Sequence, residues 1–169
     1  WRSLTAKGTC GSNVIWALDS MGTLLVMGSG AMNNFASTSY QPWYSHSANI
    51  TAVIIGDSVT AVGSYAFRSC TALETVTIGD SVTSIGSYSF YGCTGLESLT
   101  LPENLQTIGN YAFYNCTSLT KINYNAISLA DLGSRNRIFS YAGQGGDGIT
   151  VTVGGSVTKI PAYLFYPDS

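Results

Sequence analysis

Three consecutive segments of this chain align without a gap at a spacing of 23 residues. They are ITAVIIGDSVTAVGSYAFRSCTA at 50–72, LETVTIGDSVTSIGSYSFYGCTG at 73–95 and LESLTLPENLQTIGNYAFYNCTS at 96–118. The first two agree at 13 of 23 positions. A chain that copies itself at this period reuses one small unit that cannot bury its own apolar side. Stacked units share a continuous core, so the repeat predicts a solenoid.

A fourth copy starts at Leu119 as LTKINYNA and gives way to SRNRIFSYAGQGGDG. A fifth follows as ITVTVGGSVTKIPAYLFY, starting at about residue 148, where Gly148 stands in place of Ile50, Leu73, Leu96 and Leu119. Its Gly154-Gly155-Ser156-Val157 matches Gly56-Asp57-Ser58-Val59, which gives repeat four six extra residues. The segment 125–147 is therefore expected to form a surface loop on an otherwise regular stack.

Within one unit, Val76 and Ile78 alternate with Thr75 and Thr77, the period of a half-buried strand. Gly79 or Pro102 ends the strand. A short second strand follows, with Val82 and Ile85 inward, and Gly86 then permits a turn. Phe90 and Cys93 close the unit through a helical or irregular turn. The inward set recurs as Val59, Val62, Phe67, Cys70 and as Leu105, Ile108, Phe113, Cys116. The first strands are expected to make a parallel sheet on the concave side, with ladder spacing of about 4.8 Å.

Residues 1–48 do not follow the period and are expected to cap the repeats, which run from 49 to 169. Asn13–Leu18 and Thr23–Met27 read as the two strands of a β-hairpin around Asp19-Ser-Met-Gly22. Pro42-Trp43-Tyr44 opens a short helical turn. Tyr44 lies 23 residues before Phe67 and suggests a half-repeat feeding the stack. Ser169 aligns with Thr71, inside a repeat, so more chain or a cut is expected there. An uncovered end and sheet edge leave the oligomeric state open.

Composition narrows the function classes. Only 9% of residues are charged, while Ser and Thr together make up 40 of 169. The surface is polar without being charged. Seven Lys and Arg against nine Asp and Glu, with no basic cluster, speak against electrostatic nucleic-acid binding. No apolar run approaches the ~18 residues that a membrane-spanning helix needs.

The pattern LxxLxL followed by LxxIGxxAFxxC resembles the BspA-like, treponemal-type leucine-rich repeat family. The residues that carry it are Leu96, Leu99, Leu101, Leu105, Ile108, Gly109, Ala112, Phe113 and Cys116, with counterparts 23 and 46 residues earlier. The resemblance implies a right-handed leucine-rich-repeat solenoid in a secreted or cell-surface bacterial protein. It also implies a non-catalytic adhesion module that contacts host matrix proteins, of fibronectin or fibrinogen type, or other cells.

Cys70, Cys93 and Cys116 share one repeat position, and Cys10 lies in the cap. Their spacing fits no zinc site, and parallel Cβ vectors along a ladder disfavour disulfides, so all four read as buried free thiols. His46 is the one histidine, in a Ser-His-Ser context with no nucleophile elbow nearby. No phosphate or dinucleotide fingerprint is present, and no cofactor is expected. Asp57, Asp80 and Glu103 share a position that reads as a solvated turn or as a row of Ca²⁺ ligands. Tyr65, Tyr88, Tyr111 and Tyr163 form another row, either a half-buried aromatic spine or a platform for sugar rings or a protein partner.

The concave face is the expected binding surface. Its outward residues are Ala52, Ile54, Thr75, Thr77, Ser98, Thr100, Lys121, Asn123, Thr150 and Thr152, with Glu74 and Glu97 at its edge. Arg135, Arg137, Phe139 and Tyr141 of the insertion are the other candidate contacts. Two alternatives to protein adhesion stand beside it: spacer repeats of a larger surface protein, and a carbohydrate-binding module.

Overall fold

Residues 3–165 of the computed structural model are described here. The antiparallel strands β1 (Leu4–Thr9), β2 (Val14–Asp19) and β3 (Thr23–Gly28) come first, followed by the short β4 (Gly30–Ala31). The repeats then supply pairs of strands. They are β5 (Ala52–Ile55) and β6 (Val59–Val62), β7 (Thr75–Ile78) and β8 (Ser84–Ile85), and β9 (Ser98–Leu101) and β10 (Thr107–Ile108). Two single strands close the series, β11 (Lys121–Tyr124) and β12 (Thr150–Val153).

The long sheet has eight strands in the order β1-β2-β3-β5-β7-β9-β11-β12. It is parallel from β3 onward: Thr23 pairs with Ala52, Ala52 with Thr75, Thr75 with Ser98, Ser98 with Lys121, and Lys121 with Thr150. The strands of the first four repeats alternate in burial; in β7, Val76 and Ile78 are buried while Thr75 and Thr77 are exposed. A second, smaller sheet runs β10-β8-β6-β4. The apolar residues between the two sheets form one core that reaches from Cys10 to Leu164.

The third side of each repeat is not helical. Tyr65, Tyr88, Tyr111 and Tyr163 stand in the left-handed region, with φ between 58° and 63°. The turns bond to one another instead: Tyr65 N donates to Ser87 O, Phe67 N to Ser89 O and Ser69 N to Tyr91 O, at 2.7–3.0 Å. The next turn repeats this with Tyr88, Phe90 and Gly92 donating to Asn110, Ala112 and Tyr114. Among the described residues the only helical segments are two 3-10 turns, Thr38–Tyr40 and Tyr44–Asn49, both before the first full repeat.

Gly86 is required for a different reason from the one read in the sequence. A Cβ there would lie 2.4 Å from the backbone nitrogen of Ser64 in the preceding turn. Gly109 meets Ser87 in the same way, again at 2.4 Å. The glycine lets neighbouring turns approach, and the turn's unusual dihedral falls two residues later, on tyrosine.

Before the repeats, β2 and β3 pair antiparallel, and β1 adds to β2 as a third strand that the sequence did not signal. Beyond β4, Phe35 N donates to Ser64 O and Ser64 N donates to the Asn34 side chain, so residues 30–35 run beside the next turn. The half-repeat position belongs to Trp43, not Tyr44. Trp43 is buried and stacks on Phe67, whereas Tyr44 is 53% exposed.

Repeat four departs from the surface loop expected of it. Asn136, Ile138 and Ser140 are buried, and Phe139 stacks between Phe113 and Phe165 at centroid distances of 5.3 and 5.4 Å. Tyr111 N donates to Asn136 O, Phe113 N to Ile138 O and Asn115 N to Ser140 O, which continues the turn ladder. Phe139 thus occupies the place of Phe113, and the six extra residues divide into three before it and three after it.

Candidate binding surface

The strand register sets the side chains of the long sheet's outer face in columns. One column joins Thr75, Ser98, Lys121 and Thr150. The next joins Ile54 to Thr77, and Thr100 to Asn123 and Thr152. Thr75, Thr77, Thr100, Lys121, Thr150 and Thr152 are exposed, and Ser98 and Asn123 are half-buried. Asn123 Nδ2 donates to Thr100 Oγ1 at 3.1 Å, so neighbouring strands already bond across this face.

Carboxylates stand at both strand ends. Glu74 and Glu97 precede β7 and β9 and are exposed. At the other end Asp57, Asp80 and Glu103 are exposed after β5, β7 and β9. Asp80 and Glu103 share a cavity of about 240 Å³ with Thr100, Asn125 and Ser156. Among the described residues, no three His, Cys, Asp or Glu side chains gather as metal ligands would.

One part of this face was missed in the sequence reading. Toward β1 it becomes apolar: Ile15 pairs with Met27, and Ala17 with Leu25, which pairs in turn with Ile54. Ile15 is 48% exposed, and Met27 and Ile54 are 40% exposed. The available signal was Ile54 itself, which stands where the later repeats carry Thr77 and Thr100.

The tyrosine row lies on the turns. Tyr65, Tyr88 and Tyr111 stack with centroids 5.0 Å apart. Tyr91 stacks on Tyr114 at 4.8 Å, and Tyr141 meets Tyr114 edge-on at 5.2 Å. The Arg68 guanidinium lies over Tyr91 at 4.7 Å, near enough for a cation–π contact. Tyr88 therefore has both ring faces occupied, and its phenol is pushed up by burial and by the flanking Tyr111 and Tyr65. A sugar ring would find mainly edges and hydroxyls here. Gln41 donates from Nε2 to the carbonyls of Tyr65 and Arg68, pinning the first of these turns.

The insertion residues do not assemble into one site with the sheet face. Phe139 belongs to the core stack. Tyr141 extends the tyrosine array, and Arg137 takes the left-handed position of Tyr111, with φ 48°. Arg135 is exposed.

All four cysteines are buried free thiols. Cys93 Sγ donates to Phe67 O at 3.1 Å and Cys116 Sγ to Phe90 O at 3.3 Å, each to the preceding repeat. Burial pushes the thiols of Cys10, Cys70 and Cys116 up to about 12. His46 is half-buried in the turn Tyr44–Asn49 and lines a cavity of about 430 Å³ with Asp19 and Ser20. Asp19 Oδ1 accepts the amides of Met21 and Thr23, a role in closing the β2–β3 turn.

A family profile described as BspA type leucine rich repeat region matches residues 40–169 in six copies. No curated protein sequence matches the chain. Among solved structures, a leucine-rich repeat protein from Eubacterium ventriosum superposes with TM-score 0.59 at 24% identity, over 90% of this chain and 45% of its own. A leucine rich cell surface protein from Faecalibacterium prausnitzii gives 0.54 at 19%, over 86% and 39%. The leucine rich repeat protein of T. pallidum gives 0.51 at 17%, over 87% and 82%. The chain thus spans less than half the length of the first two. These likenesses bear on the fold, which is of the leucine-rich repeat type with mostly parallel strands. No described helix is long and apolar enough to cross a membrane. With its repeat pattern, its stacked turns and a profile match over most of its length, the chain belongs to the BspA-type leucine-rich repeat family.

Proposed function

We propose that this chain is a non-catalytic binding module of a secreted or surface-anchored bacterial protein. Its 23-residue turns wind a right-handed solenoid, residues 1–48 cap it, and a partner protein docks on the outer face of the long sheet. The partner is of the extracellular type, a host matrix protein or another cell-surface protein. The observation that carries this reading is the register of the face. Hydroxyls face outward on β7, β9 and β12, with Lys121 and Asn123 between them on β11, and an apolar patch adjoins them. Such a surface suits distributed contact. The Faecalibacterium prausnitzii structure, named as a cell surface protein, has the same fold and supports the location.

The test is direct binding to immobilised matrix proteins, with a glycan panel in parallel, at physiological salt. Saturable protein binding that survives Arg135→Ala/Arg137→Ala/Tyr141→Ala supports the sheet face. Loss of binding in that variant moves the site to the insertion. Glycan binding alone favours a carbohydrate module, and no binding to any ligand favours spacer repeats.

A further inference from the structure

The sheet-face reading above, on which this inference rests, leaves the partner's chemistry open, and two observations on that face supply it. Over β2, β3 and β5 the face is apolar, with Ile15, Met27 and Ile54 each at least 40% exposed. An exposed apolar patch rimmed by polar residues marks an interaction site. Over β7 and β9 the face carries hydroxyls between carboxylates. Thr100 lies both on the face and in the cavity of Asp80 and Glu103, so these two carboxylates border the face directly. Glu74 and Glu97 stand at the opposite strand ends. Among the described residues none of the four is in an ion pair. The cations of this face stand on either side of the stretch: Lys121, one strand beyond Ser98, and Lys7 on β1, which pairs with Ala17.

We propose that the partner is a protein segment that sets apolar side chains against Met27 and Ile54 and Lys or Arg side chains against Asp80 and Glu103. From β2 to β9 the segment crosses four strand spacings, roughly 19 Å. Apolar burial supplies most of the affinity. The carboxylates set orientation and speed encounter, and salt screens them because they are exposed. A neutral or acidic partner would gain nothing from them.

The test uses three synthetic peptides of equal length, built from Leu and Lys, Leu and Glu, or Ser and Lys. Each is titrated into the isotopically labelled chain and followed by NMR amide shifts at low and physiological salt. The Leu/Lys peptide is expected to saturate, to shift amides of β3, β5, β7 and β9, and to bind at least about tenfold more tightly than the others. Ile54→Thr places at this position the residue already present at its register partner Thr77, so the fold should tolerate it. That variant, and separately Asp80→Asn/Glu103→Gln, should each weaken the Leu/Lys peptide, the second by roughly tenfold from two exposed pairs. Asp147→Asn in the insertion should change nothing. Equal binding of the Leu/Glu peptide, shifts confined to another surface, or wild-type affinity in both variants overturns the proposal. The same variants on the matrix-protein panel separate the two levels. Panel binding that ignores them but is lost in Thr77→Arg/Thr100→Arg overturns this inference and leaves the face reading standing. Peptide binding on the face without any panel binding overturns that reading and leaves the face chemistry standing.

Discussion

Trp43 lies flat on Phe67, with ring centroids 5.2 Å apart and planes 11° from parallel, and its Nε1 donates to Ala66 O at 2.9 Å. It begins a stack that continues through Phe67, Phe90, Phe113, Phe139 and Phe165 at 5.1–5.4 Å. Edge-on contacts with Trp16 and Phe35 tie it to the N-terminal strands. Trp43 thus adds to the β3–β5 and β4–β6 pairings in joining the N-terminal region to the repeats.

Trp43→Ala is therefore predicted to cost about 3–5 kcal/mol by loss of a fully buried aromatic side chain. Trp43→Phe should cost less, because it keeps a ring in the stack and loses the indole bond and part of the buried ring volume. Urea unfolding followed by circular dichroism measures both. A loss under about 1 kcal/mol in Trp43→Ala would show that the stack adds little to the coupling made by the strand pairings.

The thiols make a prediction about pH. The folded-state values of Cys10, Cys70 and Cys116 are raised to about 12 by burial. The stability this contributes is complete below about pH 7.5, where a thiol in the unfolded chain is still protonated. It is lost as pH rises from there toward 12, because the unfolded chain gives up protons that the folded chain keeps. Unfolding free energy should fall across that window. At pH 8 a thiol-specific reagent should modify none of the four cysteines in the folded chain and all of them in denaturant.

Gly86→Ala is predicted to destabilise the chain by about 2 kcal/mol or more, since its Cβ meets the Ser64 backbone and neither turn can yield without disturbing its neighbour. Gly155→Ala is the control, because its Cβ would enter open space. Thermal melts of the two variants should differ clearly. Matching melting temperatures would mean that the turns are looser than they stand here.

Phe139→Ala should lower stability by about 2 kcal/mol and leave any sheet-face ligand unaffected, because the ring is part of the stack. Arg135→Ala, at an exposed position, should leave stability within about 0.5 kcal/mol. A Phe139→Ala variant of normal stability that fails to bind would return this residue to the contact surface.

What could be read from the sequence follows from what repeats. The inward Val76, Ile78 and their counterparts are apolar in every copy, so the strands and the outward threonines of β7 were legible. β1 was not, because its inward residues include Ala6 and Gly8, and a Cβ on Gly8 would stand 2.8 Å from the Trp16 indole nitrogen. A strand that packs small residues under a large one shows no apolar alternation. Trp43 was passed over because it lies 24 residues before Phe67, one more than the period. Phe139 was read as a loop residue because three added residues before it hid its place. The tyrosine row was legible as a row. That its ring faces cover one another depends on where the turns place them, which spacing alone does not give.

If the outer face of the long sheet binds the partner and the tyrosine side is structural, substitutions on the two sides have opposite effects. The most direct measurement compares binding isotherms of the wild-type chain, Thr77→Arg/Thr100→Arg and Tyr88→Ala/Tyr111→Ala on the matrix-protein panel, each first shown to be folded by its melting curve. A sheet-face site gives saturable binding by the wild type, its loss in the threonine pair, and its retention in the tyrosine pair. Retention in the threonine pair with loss in the tyrosine pair would contradict it, as would the absence of saturable binding by the wild type.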